Sequence, residues 1–154
     1  MLWYSGVVRG KNGVSILVDR DLRESMVEFR GVNDRLMFIK LVIKECTLNV
    51  VSAYAPKTGL DEEVKGCFWE GLDEIVRSIP PTERLFIGGD FNGHIGSVAS
   101  GYGKVHGGFG LGDRNGGGTS LLDFAKAFEP VIANLTFAKR EEHLVAFQSS
   151  MVNT

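Results

Sequence analysis

Residues 6–54 alternate short apolar runs with polar turn residues. The runs are rich in β-branched and aromatic side chains, which favour strands. Asn12-Gly13, residues 31–34 and residues 44–46 interrupt them and are typical of hairpin turns, so neighbouring strands are expected to be antiparallel. The predicted strands cover residues 13–18, 26–29, 36–43 and 47–54.

Beyond Pro56 the apolar residues recur at intervals of three and four, which predicts an amphipathic helix. The helix is expected to begin at a cap formed by Thr58 and Asp61 and to end before Pro80-Pro81. Trp69 lies off the apolar stripe and is expected to be a partly exposed anchor. The stripe consists of Leu60, Val64, Cys67, Phe68, Leu72, Ile75, Val76 and Ile79.

The second half of the chain predicts a buried strand, a loop and a shorter helix. Residues 84–89 are apolar and lead into Asp90, as a buried strand would. Nine of the 18 residues from Gly101 to Gly118 are glycine, which indicates a loop. The helix is expected to begin near Thr119 and to end before Pro130. Two short strands are predicted at 131–133 and 144–147, and no repeat or linker divides residues 1–154, which predicts one domain.

Composition and charge narrow the class of protein. A hydrophobic content of 44% and a charged content of 23% are typical of a folded globular chain. The formal charge of −2 excludes a dominant basic surface, so any polyanionic partner is expected to be bound locally. No membrane partner is predicted, because uncharged apolar stretches are too short to span a bilayer. Cys46 and Cys67 are predicted to be reduced, buried thiols of an intracellular protein, with nucleus and cytoplasm left open.

The strongest local signal for chemistry is the segment Gly-Gly-Asp-Phe-Asn-Gly-His at 88–94. A carboxylate at the carboxyl end of a buried strand lies where open α/β sheets place reactive groups. In an extended backbone Asp90 and Asn92 would share one face, while Phe91 would pack on the other. Aspartate can orient or deprotonate water, and an asparagine amide can donate to a phosphate oxygen, so the pair suits attack on a phosphodiester. An Asx turn at the strand end would explain the same residues.

Four further residues are candidates for the same site. Tyr54 ends a predicted strand, and its phenol could bind a phosphate, although a core tyrosine is the alternative. His94 could orient the site or bond to backbone in a turn. Arg114 and Asn115 could donate to a substrate or be solvated surface residues. The histidines lack zinc-ligand spacing, and no Lys-Ser or Lys-Thr pair follows the glycines, so neither a zinc site nor a P-loop is predicted.

Taken together and in order, these motifs resemble the endonuclease/exonuclease/phosphatase superfamily, in particular craniofacial development protein 2-like proteins and the endonuclease domains of plant LINE-type retrotransposons. The motifs are Tyr54-Ala55-Pro56, Gly-Asp-Phe-Asn-Gly-His-Ile-Gly at 89–96, Gly-Asp-Arg-Asn at 112–115 and Leu-Leu-Asp-Phe at 121–124. The resemblance implies a four-layered α/β sandwich, with two β-sheets face to face and helices outside. It also implies Mg²⁺-dependent cleavage of phosphodiesters in DNA.

The resemblance also implies roles for single residues. Asp90 corresponds to the aspartate that orients or deprotonates the attacking water, Asn92 to its phosphate-binding partner and Tyr54 to the tyrosine that contacts the scissile phosphate. The family's metal-binding glutamate would precede Met1, and its terminal aspartate-histidine element would follow Thr154.

We therefore expect an incomplete, truncated sandwich that is inactive or weakly active, with its metal ligands unidentified. Exposed sheet edges could promote self-association. The alternatives are a non-enzymatic interaction fragment and a phosphatase acting on a small phosphate ester.

Overall fold

The computed structural model describes residues 2–5, 13–106 and 112–128. The chain divides into two compact units between Asn92 and Gly93. The strands predicted at 131–133 and 144–147 lie outside the described residues, and the prediction of one domain stays a prediction. No helix in the described part of the chain is long and apolar enough to cross a membrane.

The first unit is built on a mixed four-stranded sheet of order β3-β4-β5-β6. The predicted antiparallel pairing is confirmed for β3-β4 and β4-β5, whereas β5 and β6 are parallel. A separate antiparallel hairpin joins β1 and β2. The elements are β1 (Leu2–Ser5), β2 (Val14–Leu17), a 3₁₀ helix (Arg20–Ser25), β3 (Met26–Asn33), β4 (Leu36–Ile43), β5 (Cys46–Tyr54), α1 (Glu62–Arg77) and β6 (Arg84–Asp90).

Strand β4 is the centre of the core, because both of its faces are covered. On one face Ile39 and Leu41 pack with Val18, which follows β2. On the other face Leu36 and Phe38 are buried on the side of α1, whose buried residues are Phe68, Leu72 and Ile75. Within this unit a helix, the four-stranded sheet and β2 thus form three successive layers. These layers agree with the predicted α/β class.

Two predictions of burial are wrong. Strand β6 was expected to be buried, but Phe86 is 61% exposed, because β2 packs on β4 and β5 rather than over β6. Cys67 was expected to be a buried thiol, but it is exposed, and Cys46 is half-buried. The buried stripe of α1 is narrower than the apolar stripe in the sequence, so Cys67 falls outside it.

The predicted cap of α1 is also wrong in part. The helix begins at Glu62, and Asp61 occupies the N-cap position, but its side chain makes no capping hydrogen bond. The acidic residues Glu62 and Glu63 lie in the first turn, where their negative charges interact favourably with the positive end of the helix dipole.

The second unit, as far as it is described, contains turns followed by α2 (Gly116–Phe128). This helix begins three residues earlier than predicted, so the last glycines of the glycine-rich stretch are helical. Asn115 acts as its cap, since Oδ1 accepts from the Gly118 N–H at 2.9 Å. Gly118 is required here, because a Cβ would collide with the His94 carbonyl. The small core consists of Val105, Leu122 and Ala125, with Ile95 and Tyr102 packed against it.

Candidate functional site

The ends of three neighbouring strands bring candidate residues together at one edge of the four-stranded sheet. Because β5 and β6 are parallel, their carboxyl ends meet there, and Tyr54 pairs in register with Asp90. The Tyr54 N–H donates to the Arg35 carbonyl at 2.9 Å, just before β4 begins. The Ala55 N–H donates to the Asp90 carbonyl at 2.8 Å. We call Arg35, Tyr54, Ala55, Asp90 and Asn92 the strand-end cluster.

Asp90 and Asn92 form a tight turn at the end of β6. The Asn92 N–H donates to Asp90 Oδ1 at 2.9 Å, and Asn92 has a left-handed backbone with φ of 46°. The expectation of an extended backbone is therefore wrong, and the Asx-turn alternative is confirmed. Asparagine tolerates this conformation because its short polar side chain bonds locally. The turn occupies one carboxylate oxygen of Asp90 and leaves Oδ2 without a partner among the described residues.

The Asn92 amide fastens this turn to β5. Its Nδ2 donates to the Ala55 carbonyl at 2.7 Å, so the turn after β6 is held by the residue that follows β5. Oδ1 and the second N–H of Nδ2 have no partner in the described part of the chain. Gly89 allows the close approach of the two strands, because a Cβ there would collide with the Ala53 carbonyl. The turn can therefore bind a ligand without giving up its own hydrogen bonds.

Phe91 lies between Asp90 and Asn92 in the sequence, and its side chain packs against helix α1. Its ring stacks on Trp69, with centroids 6.4 Å apart and planes 22° apart. Trp69 in turn meets the buried ring of Phe68 edge to face at 5.1 Å. The prediction that Trp69 is a partly exposed anchor is confirmed, and its contact explains why Phe91 turns inward.

Arg35 is the member of the strand-end cluster that the sequence reasoning missed. It is only 9% exposed, and its guanidinium lies over the Tyr54 ring, with Cζ 5.3 Å from the centroid. Nη1 also donates to the Tyr54 carbonyl at 3.3 Å. The signal in the sequence was an arginine directly before the apolar residues 36–39, where a charge needs a partner.

The remaining candidates lie in the second unit, where hydrogen bonds to backbone hold two of them. Asn115 Oδ1 accepts from the His94 N–H at 3.0 Å as well as from Gly118, and the Asn115 N–H donates to the His94 carbonyl at 3.0 Å. Arg114 donates from Nε to the Ile95 carbonyl at 3.1 Å and from Nη2 to the Val98 carbonyl at 2.6 Å.

These contacts are structural, and a substrate-binding role for His94, Arg114 and Asn115 stays a prediction. His94 is exposed, and its imidazole makes no hydrogen bond within the described ranges. Both ring nitrogens are therefore open to a ligand as far as the described residues are concerned.

The described residues do not make a complete Mg²⁺ site. They contain no group of three or more His, Cys, Asp or Glu side chains that could hold a metal ion. Mg²⁺ needs near-octahedral oxygen ligands, some of which can be waters or substrate phosphates. The strand-end cluster offers one carboxylate, Asp90, and one amide oxygen, Asn92 Oδ1.

Comparison with known proteins confirms the resemblance that the motifs indicate. Two curated proteins called craniofacial development protein 2, from Bos taurus and Tragulus javanicus, are each 30% identical to this chain over 139 residues, or 90% of its length. The chain spans about a quarter of these relatives, 23% and 24% of their lengths. No protein-family model matches the chain.

A solved structure, the endonuclease domain of TRAS1, a telomere-specific non-LTR retrotransposon, has a similar fold. The TM-score is 0.56, at 15% identity, over 83% of this chain and 52% of that one. At this identity the similarity concerns the fold alone, and it confirms the predicted α/β class.

Proposed function

We propose that this chain carries part of the active site of a Mg²⁺-dependent phosphodiesterase that cleaves DNA. The observation that supports this proposal best is the turn of Asp90 and Asn92, held at the carboxyl end of β6 beside Tyr54. Open α/β sheets place their reactive groups at this end of their strands. The similarity to an endonuclease domain and the order of the motifs favour a phosphodiester substrate.

In this proposal Asp90 acts on the attacking water. Its side chain is exposed, and Oδ2 remains available after Oδ1 has accepted from Asn92. A carboxylate held in this way can orient water and accept its proton, an effect worth about 10²- to 10⁴-fold in rate. Because the turn fixes Oδ1, the direction of Oδ2 is fixed with it.

Asn92 and Tyr54 would bind the phosphate. The second N–H of Asn92 and the Tyr54 hydroxyl have no hydrogen-bond partner among the described residues, so both can donate to phosphate oxygens. Preorganised donors of this kind stabilise the charge that develops in the transition state. Mg²⁺, when bound, would neutralise further charge on the phosphate. Since the described residues supply one carboxylate, we expect slow cleavage.

The test is the nicking of supercoiled plasmid DNA by the purified chain, in Mg²⁺ and in EDTA. Asp90→Asn replaces one carboxylate oxygen by an amide nitrogen, which removes the charge and keeps the shape of the turn. The matched control is Asp73→Asn, which makes the same change on α1, where Asp73 pairs with Arg77. We expect slow Mg²⁺-dependent nicking that survives in Asp73→Asn and is lost in Asp90→Asn.

Three results would contradict the proposal. Nicking that persists in EDTA, nicking that persists in Asp90→Asn, or no nicking at all would each do so. If Mg²⁺-dependent hydrolysis of a small aryl phosphate replaced nicking, the phosphatase alternative would be favoured instead.

A further inference from the structure

Arg35 is a buried cation whose side-chain hydrogen bond and ring contact with described residues are both made to Tyr54. The side chain makes one hydrogen bond, from Nη1 to the Tyr54 carbonyl, and one ring contact, with the Tyr54 phenol. It forms no ion pair with any described residue. Burial of a guanidinium costs free energy of hydration, and its hydrogen bond and ring contact with Tyr54 offset part of that cost.

A guanidinium is suited to this arrangement. It is planar and weakly hydrated, stacks on aromatic faces and donates in a fixed fork. With one edge bonded to the carbonyl and its charge over the ring of the same residue, Arg35 restricts the rotation of the Tyr54 side chain. The phenol is therefore held in one orientation before any substrate arrives.

The backbone around Tyr54 connects this contact to the turn of Asp90 and Asn92. Tyr54 receives a hydrogen bond on its carbonyl from Arg35 and donates its N–H to the Arg35 carbonyl. The next residue, Ala55, donates to the Asp90 carbonyl and accepts from Asn92 Nδ2. Arg35 thus holds the same two-residue segment to which the turn is fastened.

We propose that Arg35 is a positioning residue, which orients the Tyr54 hydroxyl toward the phosphate group of the substrate. The inference deepens the proposed function and rests on it for the identity of the substrate. Misplacement of a positioned group by about 1 Å can lower a rate by about 10²-fold. We expect a loss of that size in kcat when Arg35 is removed, with little change in KM.

A double-mutant cycle tests whether Arg35 acts through Tyr54. In the otherwise unchanged chain, Arg35→Gln is expected to lower the Mg²⁺-dependent nicking rate by about 10²-fold. In a Tyr54→Phe chain, which has no hydroxyl to orient, the same change is expected to have an effect of less than about twofold. Arg35→Lys keeps the charge but loses the planar fork, so it should restore part of the rate.

The matched control is Arg30, whose guanidinium lies 5.1 Å from the centroid of Phe38. Its side chain is 46% exposed and pairs with Glu28. Arg30→Gln therefore removes the same kind of ring contact at a site outside the strand-end cluster, and it should leave the nicking rate unchanged. Additive losses from Arg35→Gln and Tyr54→Phe would overturn the proposal, since Arg35 would then act independently of the hydroxyl.

A second measurement does not depend on activity. The chain contains three tyrosines, so labelling with 3-fluorotyrosine gives a ¹⁹F spectrum in which Tyr54 is assigned by Tyr54→Phe. We expect the Tyr54 resonance to shift by more than its linewidth in Arg35→Gln and to stay in place in Arg30→Gln. An unshifted resonance would overturn the proposal. If Arg35→Gln does not fold, as judged by circular dichroism, Arg35→Lys takes its place. We expect its Tyr54 resonance to shift by less than is expected for Arg35→Gln, and an unshifted resonance overturns the proposal equally.

The two proposals can fail separately. If the unmutated chain does not nick DNA, the proposed function is contradicted. The ¹⁹F shift would still decide whether Arg35 orients Tyr54. A chain that nicks DNA but shows no coupling between Arg35 and Tyr54 would contradict only the role of Arg35.

Discussion

Asn92 and Asn115 are both loop asparagines that the sequence marks as candidate site residues, and they use their amides in opposite ways. Asn92 donates one N–H to the Ala55 carbonyl and keeps its oxygen and second N–H available. Asn115 Oδ1 accepts from two backbone N–H groups, those of His94 and Gly118. The first side chain retains capacity for a substrate, whereas the second is used to cap α2 and to fix the turn before it.

Residue type and loop position therefore do not separate a binding residue from a structural one. What separates them is which polar groups remain after the local backbone has been satisfied: among the described residues Asn92 keeps its oxygen and one N–H, whereas Asn115 keeps only the two N–H groups of Nδ2. By this criterion Asn92 can still accept as well as donate, whereas a substrate-binding role for Asn115 and Arg114 stays a prediction.

Among the variants that compare the two asparagines, removal of the Asn92 side chain should have the largest effect on activity. Asn92→Gly keeps the left-handed backbone, since glycine adopts φ of 46° without strain, but it deletes the amide. Loss of one preorganised donor lowers a rate by about 10²- to 10³-fold. We expect a fall of this size in Mg²⁺-dependent nicking. A fall of less than about tenfold would place Asn92 with the structural asparagines.

Gly118→Ala should destabilise the second unit by about 3 kcal/mol, because its Cβ would meet the His94 carbonyl within a packed turn. Gly116→Ala is the matched control in the same helix, since a Cβ at Gly116 meets nothing within 4 Å. That control should be neutral or slightly stabilising, by up to about 1 kcal/mol. Urea unfolding measures the free energy of unfolding of both variants. Equal values for the two would contradict the close approach of Gly118 and His94.

Asn115→Ala should lower stability by about 1 to 2 kcal/mol, the usual effect of losing an N-cap side chain. Nicking per folded molecule should change far less than in Asn92→Gly. Urea unfolding and plasmid nicking on the same preparation separate the two effects. A loss of activity as large as that of Asn92→Gly would show that Asn115 binds substrate as well as capping α2.

The smallest effects concern the pH dependence of stability, which should differ between the two units. A hydrogen bond from the buried Asn49 amide and the nearby Lys40 ammonium lower the pKa of Glu83. This contribution is present above the ordinary glutamate pKa of about 4.3 and is lost as pH falls through the lowered value. In Glu83→Gln the free energy of unfolding should therefore fall less steeply as the pH is lowered.

In the second unit the hydrogen bond to Asp123 raises the pKa of the Tyr102 phenol. The stabilisation is present below the ordinary tyrosine pKa of about 10 and is lost as pH rises through the raised value. In Tyr102→Phe the free energy of unfolding should therefore fall less at alkaline pH, and its dependence on acid pH should be unchanged. The free energy of unfolding, measured against pH for both variants, checks this; identical curves for the two would refute the assignment.

The local pattern of apolar and polar residues was sufficient to predict the helices and strands, but it was not sufficient to predict which of their residues are buried. The strands β3 to β5 follow the apolar runs between turn residues, and the helix α1 follows the period of three to four residues, because strand propensity and helix geometry act locally. Phe86 and Cys67 were placed wrongly, because burial depends on which element packs above a residue, and that element can be far away in the chain. Self-association through sheet edges stays a prediction.

The order of side chains along the chain was enough to name three polar residues at the ends of the strands, Tyr54, Asp90 and Asn92. The parallel, in-register pairing of β5 and β6, which makes Tyr54 and Asp90 neighbours, is a property of the folded chain. The fold also places Asn92 against Ala55 and Arg35 over Tyr54, contacts across 37 and 19 positions of the chain. Strand pairing is a long-range choice made by the whole core, so no local pattern of side chains contains it.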